Sequence, residues 1–203
     1  MFTRLAKTAT LIVGTFALSA CGINSVPTKE EAAKAQWANV EASLQRRSDV
    51  IPNLVATVEA AAVSEEDILV GVTDARARAT SINITSDDLS DPEEFQRFNQ
   101  AQNQLTQALG QLRTVVEAYP QLQSNQRFAD LMVEIEQANN MINTEINRYN
   151  DAARDYNTEI RTFPSTIGAN IIHGSEPLEY FEAAEGAEEN PEVEFGNITG
   201  NDA

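Results

Sequence analysis

The sequence predicts an all-α fold: an antiparallel, up-and-down four-helix bundle with long helices and a flexible acidic C-terminal tail. Apolar residues recur at spacings of three, four and seven through most of residues 28–164, the period of helices buried along one face. Phe128, Ile135, Ile142, Tyr149, Tyr156 and Phe163 repeat every seventh position without a miss, as a long seam helix requires. Few aromatics and few glycines accompany a hydrophobic content of 42%, which suits helices better than a β-sandwich.

The chain opens on a secretory signal. Arg4 and Lys7 form a positive n-region, and Leu11 to Leu18 supply a short apolar h-region. Leu18-Ser19-Ala20-Cys21 resembles the bacterial lipobox, in which the cysteine thiol receives a diacylglyceryl group before cleavage. Cys21 is the only cysteine, so no intramolecular disulfide competes for it. Residues 1–20 are therefore read as a lipoprotein signal peptide, Cys21 as the lipid attachment point and 21–27 as a tether. The alternatives are an ordinary signal peptide or an uncleaved anchor, although Thr8 to Ala20 is short of the ~20 residues a spanning helix needs.

Removing residues 1–20 takes away two positive charges and no negative one, so the net charge moves from −17 to −19. Such a body is a poor nucleic-acid ligand, because that affinity comes from Lys and Arg on phosphates. Anionic head groups would repel it as well, leaving membrane attachment to acyl chains, of which two or more hold stably.

The first helix is expected from Thr28, with Glu31 completing a capping box, and carries Trp37, Val40, Leu44, Ile51, Leu54, Val55 and Val58 on one stripe. Pro52 removes a backbone bond and crowds the Ser48 carbonyl, predicting a kink near Ser48–Pro52. Ser64 and Asp67 offer a new N-cap before Ile68, Leu69, Val72, Ala75, Ala79 and Ile82, which places a break near residue 64. The polar cluster from Thr85 to Asp91 is a turn, and Pro92 suits a first helical position. Helix three carries Phe95, Phe98, Leu105, Leu109, Leu112, Val115 and Val116 and stops near Tyr119-Pro120. Helix four runs from about Ser124 to Phe163, ~60 Å at 1.5 Å per residue, and Pro164 ends it. Short connections between long helices imply antiparallel neighbours. From Ser165 the pattern fails, and from Glu176 onward there are nine acids and no lysine or arginine, so 165–203 is read as a mobile acidic tail. Tyr180, Phe181 and Phe195 are the tail residues able to dock on the bundle or a partner.

The side-chain chemistry argues against an enzyme. No H-E-x-x-H, G-x-S-x-G, P-loop or GxGxxG occurs, and a di-iron bundle would need two Glu-x-x-His pairs where only His173 exists. No cofactor is expected and no metal site is assigned. Three polar clusters stand out. Arg46-Arg47-Ser48-Asp49 with Asn53 either satisfies groups freed by Pro52 or recognises a carboxylate or phosphate bidentately. Asp74-Ala75-Arg76-Ala77-Arg78 reads as an exposed face with intrahelical ion pairs. Arg148-Tyr149-Asn150 and Asp155-Tyr156-Asn157 form an approximate seven-residue repeat whose tyrosines suit the core.

Several of these segments, in this order, resemble the LemA family of bacterial envelope proteins. They are Arg46-Arg47-Ser48-Asp49-Val50-Ile51-Pro52-Asn53-Leu54-Val55, Val72-Thr73-Asp74-Ala75-Arg76-Ala77-Arg78, Arg148-Tyr149-Asn150-Asp151-Ala152 with Arg154-Asp155-Tyr156-Asn157, Phe163-Pro164-Ser165 and Tyr180-Phe181-Glu182-Ala183. The resemblance spans Pro27 to about Phe195 and implies a four-helix antiparallel bundle behind an N-terminal membrane anchor, with no established enzymatic activity. It also implies a setting among envelope proteins, a membrane protease system included. Where relatives carry a Gly-Phe-rich stretch after Pro-Ser, this chain has Thr166 to His173, so no role carries over to that stretch. Gly22 lacks the aspartate that commonly retains lipoproteins at the inner membrane, which in a diderm cell favours the periplasmic side of the outer membrane.

The leading expectation is a membrane-anchored, non-enzymatic adaptor or scaffold, with Arg46, Arg47, Asp49 and Asn53 as candidate partner-binding residues for an unidentified envelope protein. The rivals are a ligand- or metal-binding bundle and a mechanical one that self-associates along its long helix.

Overall fold

Four helices of sixteen residues or more carry the fold of the computed structural model, which describes residues 24–61, 66–86 and 88–181. They are α1 (Ser25–Ala60), α2 (Glu66–Ser81), α3 (Pro92–Val116) and α5 (Gln126–Arg161). The short α4 (Pro120–Gln123) links α3 to α5, and α6 (Ser165–Gly168) continues into a π-helical turn at Ala169–His173. Among the described residues every regular element is helical, and no helix is long and apolar enough to cross a membrane.

Local chemistry sets several boundaries. The Asp91 carboxylate accepts hydrogen bonds from the Glu93 and Glu94 amides, with Pro92 at the first helical position, a cap that contributes about 1 kcal/mol. Asn125 caps α5 in the same way by accepting from the Phe128 amide. The expected break near residue 64 falls between the end of α1 at Ala60 and the start of α2 at Glu66. α1 starts a turn earlier than its capping box suggested. Val26 is fully buried in the core, so the apolar phase extends upstream, and the Thr28 hydroxyl donates to the Asn24 carbonyl from within the helix.

α1 and α5 lie antiparallel along their whole length, with contacts that pair Ser25 with Glu159, Trp37 with Tyr149 and Arg47 with Asn139. The buried residues divide into two apolar clusters. One holds Val26, Trp37, Val40, Phe95, Phe98, Tyr149 and Tyr156 towards the α1 N-terminus. The other holds Ile51, Leu54, Val72, Leu105, Leu109 and Ile135 at the opposite end. The first five members of the seven-residue repeat on α5 are buried, but Phe163 is 80% exposed. A heptad phase holds only while the helix continues. The chain leaves helical geometry at Thr162, and Phe163 precedes a cis Pro164.

The second departure concerns the tail. Residues 165–181 pack on the helices rather than trailing away, while 182–203, with Phe195, lie outside the described residues. Gly174, at φ 58°, takes the left-handed conformation that turns the chain back after the π-helical turn. The returning segment is held by side-chain amides one heptad apart on α5. Asn157 donates to the Leu178 carbonyl and accepts from the Leu178 amide, both at 2.8 Å. Asn150 does the same for Phe181, both at 2.9 Å. The Tyr149 hydroxyl donates to the Glu179 carbonyl, and the Glu179 amide donates to Leu89. Phe181 then meets Phe95 and Phe98 edge-on at 6.2 and 6.3 Å, in a ring cluster that includes Trp37 and Tyr149. Each such ring pair adds about 0.5–1.5 kcal/mol beyond the area it buries. Composition could not reveal this, because the partners of the tail backbone are on another helix.

Asn157→Ala should therefore destabilise the fold by about 1–3 kcal/mol, since it strands the Leu178 amide and carbonyl. Hydrogen exchange should show the Leu178 and Phe181 amides losing protection well before those of the α5 centre. Equal protection loss throughout would mean that the tail is not a separable unit.

Candidate functional site

The sequence motif around Pro52 sends its side chains in two directions. Arg47 and Ser48 point inward and are 3% exposed, whereas Arg46, Asp49 and Asn53, spaced three and four apart, share an exposed face of α1. Arg47 is thus not part of a partner surface, which corrects the reading of the four residues as one patch.

Arg47 lies between the two apolar clusters and is held by neutral groups. Its Nη2 donates to Gln102 Oε1 at 2.8 Å, and its Nη1 donates to Thr106 Oγ1 at 3.0 Å and Asn139 Oδ1 at 3.2 Å. Gln102 in turn donates to the Ala79 carbonyl at 3.1 Å, so one polar layer ties α1, α2, α3 and α5 together. The Nε of Arg47 and the Oγ of Ser48 have no hydrogen-bond partner. Burial without a carboxylate pulls the guanidinium down to about 10, because a low-dielectric interior disfavours the charged form.

The groups freed by Pro52 are satisfied from elsewhere than expected. Pro52 cannot donate to the Ser48 carbonyl, and Arg76 on α2 does so instead, through Nε at 2.8 Å. Arg46, Asp49 and Asn53 take no part in this. Asp49 accepts from Gln45 at 2.7 Å, and the Arg46 Nε makes a long 3.4 Å contact to Ala42. The cluster read as a surface with intrahelical ion pairs is thus a bridge between helices at Arg76, and buried Ala75 and Ala79 flank it. Tyr149 and Tyr156 are buried as their seam positions require, and Asn150 and Asn157 serve the tail.

Three hollows adjoin this region, one of them of about 360 Å³ and lined in part by Asn53, Thr57, Asn125 and Arg127. A cavity of about 110 Å³ beside the polar layer is lined in part by Glu41, Ser48, Asn83 and Gln102. Burial raises the Glu41 carboxyl above the usual range, opposed by a hydrogen bond from Trp37. A groove of about 250 Å³ runs between α1 and α5 on the outer face, lined by Ser43, Arg46, Val50, Glu134, Gln137, Ala138 and Met141. Among the described residues no three His, Cys, Asp or Glu side chains gather in a way that would hold a metal. Cys21 lies outside the described residues.

The sequence matches the LemA family over residues 36–195, and the chain belongs to it. Among curated relatives, magnetosome proteins MamQ 1 and MamQ 2 of Paramagnetospirillum magneticum (strain ATCC 700264 / AMB-1) are each 28% identical over 175 residues. Those alignments cover 78% of this chain, which spans 64% of the length of either relative.

The inward and outward arginines should behave differently. Arg47→Ala leaves Gln102, Asn139 and Thr106 without their donor and removes a buried stem, so chemical denaturation should show a loss of about 2–4 kcal/mol. Arg46→Ala should stay within about 0.5 kcal/mol of the parent. Comparable losses from both would contradict the division of the pair.

Proposed function

We propose that this LemA-family protein is a four-helix antiparallel bundle, lipid-anchored through Cys21, that works as a non-enzymatic adaptor or scaffold among cell-envelope proteins. Family membership supports a membrane-associated envelope setting, and relatives named as magnetosome proteins fit a membrane context. The observation that carries the adaptor reading is the exposed Arg46–Asp49–Asn53 face beside the α1–α5 groove. Arg46 forms no ion pair with a carboxylate among the described residues, although the chain has 31 acids. A guanidinium left exposed on so acidic a protein can receive a carboxylate from a partner, and bidentate geometry makes that contact specific. Half-exposed Met141, which lines the groove, adds apolar area to the same side.

One rival reading retains an observation of its own. The cavity beside the polar layer is lined by apolar as well as polar side chains, the unpartnered Ser48 hydroxyl among the polar ones, which would suit a small amphipathic ligand held between helices. Native mass spectra of the protein separate the two, since only the second reading predicts a mass increment.

In-cell crosslinking of the anchored chain tests the adaptor. The triple variant Arg46→Ala, Asp49→Ala, Asn53→Ala spares Arg47, and so should melt close to the parent while losing its dominant envelope crosslink. A folded variant that keeps the crosslink would show that the partner binds elsewhere.

A further inference from the structure

Phe163, Ile167, Ile171 and Ile172 are 80%, 52%, 79% and 59% exposed, and they fall within ten consecutive residues. From Thr162 to Ser175 the chain carries no Asp, Glu, Lys or Arg, on a protein with 31 acids. Scattered exposed apolar residues are ordinary, but a contiguous cluster of large ones marks a contact.

Its location indicates the contact. The segment leaves the C-terminal end of α5 beside the first turn of α1. The hydroxyls of Ser25 and Ser165 both donate to Glu159 Oε1, and Lys29 lies 3.8 Å from its other oxygen. These hydroxyls, with Lys29, hold the Glu159 carboxyl below the usual carboxylate range. Val26 of α1 and Ala169 of the π-helical turn are both fully buried in the same apolar cluster. The backbone of the turn is thus seated on the core, next to the point where the N-terminal segment joins α1. Cys21 is four residues before Ser25, and the apolar stretch Thr8–Ala20 ends just before it. Four or five residues, counted to Ser25 from Cys21 or from Ala20, span at most ~18 Å, at about 3.3–3.6 Å each. Whichever of the two attaches the protein, this end of the helices is tied within that distance of the bilayer.

We infer that Phe163, Ile167, Ile171 and Ile172 form a second membrane contact that inserts into the interfacial layer of a phospholipid bilayer. The contact rests on the anchored reading above and deepens it. Apolar side chains at an interface bury ~5–10 Å into the head-group and acyl boundary, a depth that side chains on a short turn can reach. The uncharged segment avoids the repulsion that the acidic body would meet at anionic lipid, so neutral phosphatidylcholine should suffice. A single tether leaves the bundle free to swivel. A tether with an adjacent apolar contact holds α1 and α5 at a set angle to the surface, which keeps the Arg46 face, about twenty residues along α1, clear of the lipid.

Full-length Phe163→Trp, carrying its native anchor and reconstituted in phosphatidylcholine vesicles, tests this. Trp37 is 2% exposed in the core and supplies a constant background measured in the parent. The new tryptophan should shift to the blue on vesicles and lose most of its emission when the acyl chains are brominated. A variant that floats with the vesicles but keeps solvent-like, unquenched emission overturns the contact and leaves the anchor standing. Failure to float overturns both. A blue shift that grows with protein concentration and needs no vesicles overturns the bilayer assignment in favour of a second copy.

Discussion

The arrangement of the helices depends on one buried guanidinium. Arginine stays protonated in nearly any protein interior, so Arg47 must be surrounded by acceptors wherever the fold places it. Here the acceptors come from α3 and α5, and Gln102 passes the constraint on to α2. Apolar seams alone tolerate a slip of one turn at modest cost. A polar layer does not, because a slip would leave Arg47, Gln102 and Asn139 unpaired inside the core. A single buried polar position is the best-attested way of setting register in helical assemblies, and this layer has the same physics spread over four helices.

Next to it, Pro52 turns a local defect into a tertiary link. A proline within a helix leaves the carbonyl four residues earlier without its donor. The Ser48 carbonyl then becomes an acceptor facing α2, and Arg76 fills it. The two arginine motifs, far apart in sequence, are therefore two halves of one structural device. The exposed remainder, Arg46, Asp49 and Asn53, is what the device leaves free for other work.

The two ends of the molecule differ in kind. Around Trp37 and Tyr149, aromatic rings from α1, α3 and α5 are completed by Phe181 of the returning tail, whose backbone Asn150 and Asn157 hold in register. The same end carries the exposed isoleucines and the N-terminal junction. The far end, with Ile51, Leu109 and Ile135, has a plain apolar core, and the short α4 seats Leu122 in it. Such an asymmetry suits a protein held at one end and presenting the rest of its length.

Much of this was legible in residue order. Period and capping determine the four long helices, the breaks near residues 64 and 120 and the N-cap at Asp91, because these are local effects of a 3.6-residue repeat and of side chains beside their own backbone. The polar layer also left a trace. Arg47 interrupts the α1 stripe between Leu44 and Ile51, Gln102 that of α3 between Phe98 and Leu105, and Asn139 that of α5 between Ile135 and Ile142. What those interruptions meant was not readable, since a polar residue at a seam position is a partner only when another helix brings its complement to the same height. Which arginine of the pair faces inward, that Arg76 serves Ser48, and that the acidic tail returns as far as Phe181 were decided by tertiary structure. Each is a contact between residues at least 28 positions apart, whose free energy exists only once the helices are assembled.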